Sequence, residues 1–480
     1  MRQREESVAG GLFWKLLELL GAQGVQFVVA LFLARLMTPT EYGTIGLIMI
    51  FITLANVFVQ SGFATALIQA EQVEESDFGS VFWISLAVSV PVYGLLFAVA
   101  PLIAHYYETP VLLPLLRAMG LVLFPGAVIS VQTAYVSRNL QFRKLFEATM
   151  AAVILSGLVA ILMAERGYSV FAMAAQQLIY YVALMGGLFI AVPFRPRGGI
   201  VLKRVEKLFS FGWKILLSGL LDTLWNNIYG LLIGKYYSKA ALGGYNRAEQ
   251  FPKLITSNLS AAMQSVLLPT YARRQSEKES LRDMLRDSIR LSAFVIFPMM
   301  AGMAAVGTSL IRTLLTEDWL FSVPYLRLLC LCYAFWPLHV SNLQMITALG
   351  RSDLFLKLEC IKKLLGAALL VLSFRYGMMG LLIFKAVDEA LCSALNAWPL
   401  GRLLGYGPGR QYRDLGPAAL CSLLMGVLVY RMERLPLSAP LLLLSQLAAG
   451  IVCYGVLAAL FQRDMLRYLR NFVRMRGKQA

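Results

Sequence analysis

Three charges stand close together in a stretch that is otherwise apolar. Lys385, Asp388 and Glu389 lie inside the run from 378 to 400 at i, i+3 and i+4, which puts them on one face of a helix. The carboxylates are about ten residues from either end of the run, roughly 15 Å from each surface at 1.5 Å per residue. Lys385 neutralises one carboxylate and leaves the other alone, and a lone carboxylate at that depth is a candidate site for a proton or a sodium ion. Mutual neutralisation, with a purely structural role, is the competing interpretation. Asp222, in the run 209–234, is a further ion-coupling candidate, and His339, in 323–349, is a single polar residue in a similar setting. For both, a satisfied core role competes. Four cations complete the set. Lys15 and Lys214 stand near one end of their apolar runs, Arg117 and Arg327 near the opposite end of theirs. Such charges usually face an interior or a water-filled path, although long basic side chains at helix ends also reach out to headgroups. For Lys15, Glu18 one turn away is a ready partner.

Membrane-spanning helices must position these residues. The chain of 480 residues is 58% hydrophobic and only 15% charged, outside the range of soluble domains. About fourteen apolar segments can be read, at 12–37, 43–69, 78–104, 111–136, 145–164, 168–192, 209–234, 246–271, 289–311, 323–349, 354–374, 378–400, 415–430 and 438–461. Most are long enough to cross a hydrocarbon core of roughly 30 Å as a helix. The connections alternate between strongly basic and nearly uncharged. With a cytoplasmic amino terminus, the even-numbered connections and both tails carry the excess of Lys and Arg inside, as the positive-inside rule requires. The fold class expected is an all-α polytopic membrane protein with both ends in the cytosol. Its net charge of +17 follows from loops that face anionic lipid headgroups, and no soluble domain bears a basic patch for nucleic acid.

Other classes are excluded on similar grounds. The connections run to about 20 residues at most, too short for a soluble catalytic domain. Cys330 and Cys332 point to different helix faces, unlike a CxxC metal knuckle, and the six cysteines read as small core residues. No cofactor is called for. Arg2 and Arg4 precede a long apolar run with no small-residue cleavage site, so a signal peptide is not expected. Pro91, Pro125, Pro298 and Pro337 fall inside predicted helices and should kink them.

A weak internal repeat organises the chain. Trp14-Lys15-Leu16-Leu17 recurs as Trp213-Lys214-Ile215-Leu216; PLLR ending at Arg117 recurs as PYLR ending at Arg327; SRNLQFRKL from Ser137 recurs as GRSDLFLKL from Gly350. The offsets are about 200 to 213 residues and span six helices, an even number, so the halves share an orientation. The expected organisation is a cytoplasmic segment 1–11, an N-lobe 12–192, a basic linker 193–208 containing RPRGG, a C-lobe 209–400, a loop and two further helices at 401–461, and a basic amphipathic tail 462–480. Arg282, Arg286 and Arg290, every four residues, mark one face of a cytoplasmic surface helix.

LARLMTPTEYG (Leu33–Gly43), GFATALIQ (Gly62–Gln69), Phe82-Trp83 and APLIAHYYETPVLLPLLR (Ala100–Arg117) resemble the polysaccharide and lipopolysaccharide flippases of the multidrug/oligosaccharidyl-lipid/polysaccharide (MOP) superfamily. So do the stretch from Phe211 to Ser238, ALGGYNRAEQFP (Ala241–Pro252) and ALGRSDL (Ala348–Leu354). The colanic-acid-type exporters are the group most resembled, over roughly residues 10 to 400. The resemblance implies two six-helix lobes around a cavity, in a bacterial cytoplasmic membrane, and alternating access without ATP hydrolysis. The implied cargo is an undecaprenyl-diphosphate-linked oligosaccharide, with glycosyltransferases and a polymerase as possible partners beside the membrane lipids. A diphosphate drawn through a low-dielectric cavity needs cations, which makes Lys15, Lys214, Arg117 and Arg327 its candidate contacts. Two alternatives share the superfamily, a peptidoglycan lipid II flippase and a multidrug exporter. A membrane polymerase or ligase needs a larger outer loop than any present.

The topology is testable by cysteine labelling in a Cys-free background. Thr109 and Ser238 should be reached from outside the cell, and Gly198 and Ser276 only from inside; reversal at any one position breaks the predicted orientation.

Overall fold

The computed structural model describes residues 2–60, 67–68, 74–192, 196, 202–275 and 277–467, with the backbone alone at 2–9, 12, 202–212, 214 and 215. Most of the GFATALIQ and RPRGG stretches, positions 198 and 276, the tail beyond 467 and the side chain of Lys214 therefore lie outside the described residues. Among the described residues the secondary structure is α-helix with short 3-10 turns and no strand. Eleven stretches are long and apolar enough to cross a membrane, one of them a 52-residue stretch from Ser352 to Leu403 that covers two of the segments expected from the sequence. Two others, 209–234 and 246–271, fall on long helices that are not among the eleven. Leu364, Ile451 and Val452 are largely exposed, as hydrocarbon-facing side chains should be.

The contacts divide the chain into two compact units, Met1–Gly243 and Gly244–Ala480. The first contains α1 (Arg2–Leu36), α2 (Pro39–Gln60), α3 (Glu75–Tyr106), α4 (Leu112–Gly120), α5 (Leu123–Arg138), α6 (Phe142–Glu165), α7 (Ser169–Ala191), α8 (Leu202–Tyr236) and the first turn of α9 (Lys239–Ala272). α6 packs along α7 and α1, and a core of Val81, Val131, Ala152 and Leu188 joins α3, α5, α6 and α7. The second unit holds the rest of α9, α10 (Lys278–Ala305), α11 (Gly307–Leu314), α12 (Val323–Ala334), α13 (Trp336–Ala348), α14 (Ser352–Ser373), α15 (Gly377–Leu403), α16 (Pro408–Arg431) and α17 (Ala439–Phe461). Leu281, Leu285, Ile289 and Ala293 recur at helical spacing and face α13 and α16 as its core. Arg282, Arg286 and Arg290 are thus the opposite side of the first turns of α10. They do not form a separate surface helix, because the helix runs on without interruption into the apolar segment.

The prolines act in two ways. Pro91 and Pro298 remain inside continuous helices. Pro125 and Pro337, which are 212 residues apart, sit in the first turn after a helix break, at 121–122 and at 335. A proline lacks the N–H that an interior turn needs but is tolerated in a first turn, so each predicted single helix is resolved into two.

The TPTEYG motif is a helix start. Thr38 and Glu41 cap each other's backbone N–H, at 3.4 and 2.8 Å, with Pro39 at the first helical position. Ser238 caps α9 likewise, accepting from the Ala241 N–H at 3.0 Å. The two helix starts meet through glycines. A Cβ on Gly43 would lie 1.7 Å from the Lys239 carbonyl oxygen, and one on Gly243 would lie 2.1 Å from that of Pro39. Both obstacles are backbone, so the helices must separate to admit a side chain. Gly43→Val and Gly243→Val should each cost about 1–3 kcal/mol or more, lowering the melting temperature in detergent, whereas Gly94→Ala, with open space around it, should be silent.

Candidate functional site

Lys385 on α15 reaches α9. Its Nζ lies 2.6 Å from the Tyr245 hydroxyl and 3.1 Å from Glu249 Oε1, and the same hydroxyl donates to Glu249 at 2.8 Å. The three groups close a triangle in which the ammonium, the phenol and the carboxylate satisfy one another. Tyr245 is buried and the two charged side chains are 13% and 19% exposed. A carboxylate 136 residues away in sequence is therefore a partner of the sequence-predicted lysine.

Glu389 turns to another partner. His339 Nε2 on α13 lies 3.2 Å from Glu389 Oε2, in contact but outside hydrogen-bond geometry. On the other side of the ring, Asn396 Nδ2 is 2.9 Å from His339 Nδ1. An amide N–H donates, so Nδ1 is an acceptor and the ring proton of the neutral tautomer sits on Nε2, facing the carboxylate. Asn396 is fully buried and its Oδ1 has no hydrogen-bond partner. Turning that amide over would present an acceptor to Nδ1–H, so the pocket can hold either the neutral ring or the imidazolium. Asp388, one residue earlier, contacts Cys392 Sγ at 3.5 Å. The arrangement sets a carboxylate against an imidazole between α13 and α15.

The first unit carries a different kind of site, absent from the sequence reading. Gln60 Nε2 donates to Asn56 Oδ1 at 3.1 Å, and both amides meet the Tyr181 hydroxyl. With Thr53 and Gln177 they line a cavity of about 250 Å³. Gly126 makes room for this cluster: a Cβ there would lie 2.8 Å from the Gln60 amide nitrogen and 3.2 Å from Asn56 Oδ1. Its available signal was Asn56 and Gln60 at i, i+4 in an apolar run, with Tyr181 on a helix far away in sequence. Amides and a phenol suit hydroxyl-rich ligands more than charged ones.

The predicted cations are placed as follows. Lys15 donates to Glu18 at 2.6 Å. Arg117 stacks its guanidinium 3.8 Å over the Phe97 ring, and its Nε is buried without a hydrogen-bond partner. Arg327 is held by the Ala304 carbonyl and Thr308 hydroxyl, both at 3.3 Å, and lies 3.6 Å from Glu433. Asp222 is exposed on α8.

Residues 32–324 match a family described as polysaccharide biosynthesis protein. The chain belongs to this family. Among curated relatives of this polysaccharide biosynthesis protein, the succinoglycan biosynthesis transport protein ExoT of Rhizobium meliloti is 24% identical, covering 99% of this chain and 97% of its own. The teichuronic acid biosynthesis protein TuaB of Bacillus subtilis is 26% identical over 94% of each chain. The lipopolysaccharide biosynthesis protein WzxC of Escherichia coli is 22% identical over 76% of this chain and 74% of its own. The lipid II flippase MurJ in an inward closed conformation has the same fold, with a TM-score of 0.77 at 16% identity over 95% of this chain and 100% of that one. An inward-facing multidrug resistance transporter of the MATE family follows at 0.61 and 14% identity, over 79% of this chain and 94% of that one. The fold is that of MOP-superfamily membrane transporters; among these relatives, ExoT is named a transport protein, MurJ a flippase and the MATE protein a transporter.

The triangle on α15 makes a stability prediction. Glu249→Gln or Lys385→Met alone strands a partly buried charge and should destabilise by up to about 3–5 kcal/mol, while the double variant should recover most of the loss. Melting temperatures in detergent for the four proteins of the cycle check this; additive losses would mean the two groups act independently.

Proposed function

We propose that the protein flips an undecaprenyl-diphosphate-linked oligosaccharide across the bacterial cytoplasmic membrane by alternating access, for surface polysaccharide biosynthesis. One coincidence carries this proposal. A chain of a polysaccharide biosynthesis family has, over 95% of its length, the fold of a lipid II flippase. The transporter would take the headgroup from the inner leaflet while the polyprenyl tail stays in lipid, with both termini in the cytosol. Glycosyltransferases would supply the substrate and a polymerase would consume it.

Named side chains have distinct parts in this mechanism. Lys15, Lys214, Arg117 and Arg327 are the proposed diphosphate contacts, and Arg117 is favoured among them by its unmet Nε donor. The amide and tyrosine cavity around Asn56, Gln60 and Tyr181 suits sugar hydroxyls. Movement of a proton or sodium ion would be felt at Glu389 and Asp388, since His339 and Asn396 can follow a change of charge at Glu389 by an amide turn. Lys385, tied to Glu249 and Tyr245, would hold α9 and α15 together during the cycle. Peptidoglycan lipid II is a second cargo of the same diphosphate chemistry, favoured by the likeness to MurJ alone.

In cells that lack the chromosomal gene, the wild-type protein should restore surface polysaccharide. Asp388→Asn or Glu389→Gln should restore little or none if that residue couples transport, with an unchanged melting temperature in detergent. Full restoration by both variants would remove the coupling role; failure of the wild-type protein itself to affect surface polysaccharide would remove the cargo.

A further inference from the structure

The turns of α10 and α16 that precede their apolar stretches enclose a polar cavity of about 450 Å³, lined by Arg282, Asp283, Arg286, Tyr406, Arg410, Arg413 and Asp414. Four guanidinium groups face two carboxylates there. Asp414 is already saturated: Arg286 holds it in a bidentate pair at 2.7 and 2.8 Å, and Tyr406 donates to it at 2.9 Å. Arg410 is fixed by the Gly405 carbonyl at 2.6 Å, which leaves its remaining donors directed elsewhere. Arg282 meets only the adjacent Asp283, at 3.5 Å, and Arg413 has no hydrogen bond or ion pair among the described residues. The cavity wall thus carries unspent positive charge, with more donors than acceptors.

Its depth decides what anion meets it. Measured from the apolar runs 289–311 and 415–430, Arg410 and Arg413 stand about 7.5 and 3 Å before the second along the helix axis, and Arg282 about 10.5 Å before the first. The offsets of Arg410 and Arg413 fall within the headgroup layer, which is about 5–8 Å thick on each side of the hydrocarbon core, and Arg282 lines the same cavity from its outer edge. The phosphate of a lipid lies at that level permanently, at an effective concentration no soluble anion reaches. On the predicted orientation this is the cytoplasmic leaflet. We propose that the cavity binds the phosphate headgroup of an anionic glycerophospholipid of the inner leaflet, through Arg282, Arg410 and Arg413, and that the bound headgroup braces α10 against α16. No contact to the transported substrate is involved, and the site stands or falls separately from the flipping activity.

The test measures binding rather than transport. Full-length protein in a neutral detergent is titrated with phosphatidylglycerol, with phosphatidylcholine or with inorganic phosphate, and melting temperature and bound lipid by native mass spectrometry are read. Phosphatidylglycerol should raise the melting temperature saturably. The double variant R282Q/R413Q should bind it about 30-fold more weakly, the loss expected for two interfacial arginines. R166Q/R375Q, which removes the same charge from exposed sites elsewhere, should behave as wild type. Equal phosphatidylglycerol binding by R282Q/R413Q and wild type would overturn the site. An equal shift from phosphatidylcholine would overturn the charge selectivity, and saturation by inorganic phosphate alone would reassign the cavity to a soluble anion.

Discussion

Hydrocarbon offers no partner to a peptide N–H, a hydroxyl or a charge, so each polar group that enters it must bring its partner along. That constraint shapes the chain from its helix ends to its candidate sites. Ser and Thr inside the helices return their hydroxyls to the carbonyl one turn back, as Thr53 does to Met49 at 2.7 Å, Ser80 to Ser76 at 2.8 Å and Thr256 to Pro252 at 3.0 Å. Two prolines, Pro125 and Pro337, stand at helix restarts, where no N–H is missed, whereas Pro91 and Pro298 remain inside continuous helices. Buried amides pair with each other, as Asn342 and Gln411 do twice at 2.9 Å between α13 and α16.

The charged residues obey the same constraint to different degrees, and the differences suggest different work. Lys385, Tyr245 and Glu249 satisfy one another at 2.6–3.1 Å, so opening the set carries a large desolvation cost. Glu389 and His339 touch without a well-formed hydrogen bond, next to a buried amide oxygen that has none. One cavity of the first unit is nearly free of charge and lined with amides and a phenol, whereas the clusters around Lys385 and Glu389 in the second unit are charged.

Much of this was legible in the sequence because hydrophobic length is a local property. Among the described residues the expected apolar segments fall on helices, and the TPTEYG stretch carries its capping signal in six residues. The site was less legible, because partners in a helical membrane protein are distant in sequence. Lys385 was visible as an intramembrane charge, but Glu249 and Tyr245 sit on α9 and nothing local ties them to it. His339 was visible as a lone histidine, whereas its contact with Glu389 depends on how α13 packs on α15. Asn56 and Gln60 were passed over because uncharged amides barely interrupt an apolar run, although only their meeting with Tyr181 and the space at Gly126 makes them a cavity. The helix breaks at 121–122 and 335 were likewise expected as kinks, since a proline alone does not say whether a helix bends or restarts.

Direct transport decides the central claim. Purified protein would be reconstituted into liposomes with a polyprenyl-diphosphate-linked oligosaccharide carrying a fluorophore on the sugar, and the fraction of label open to a membrane-impermeant quencher would be followed in time. Inner-leaflet label should become accessible in the presence of the wild-type protein, and Arg117→Ala should slow the exchange. Label that remains as protected as in protein-free liposomes, across imposed proton and sodium gradients of either sign, would contradict a flippase for this class of lipid.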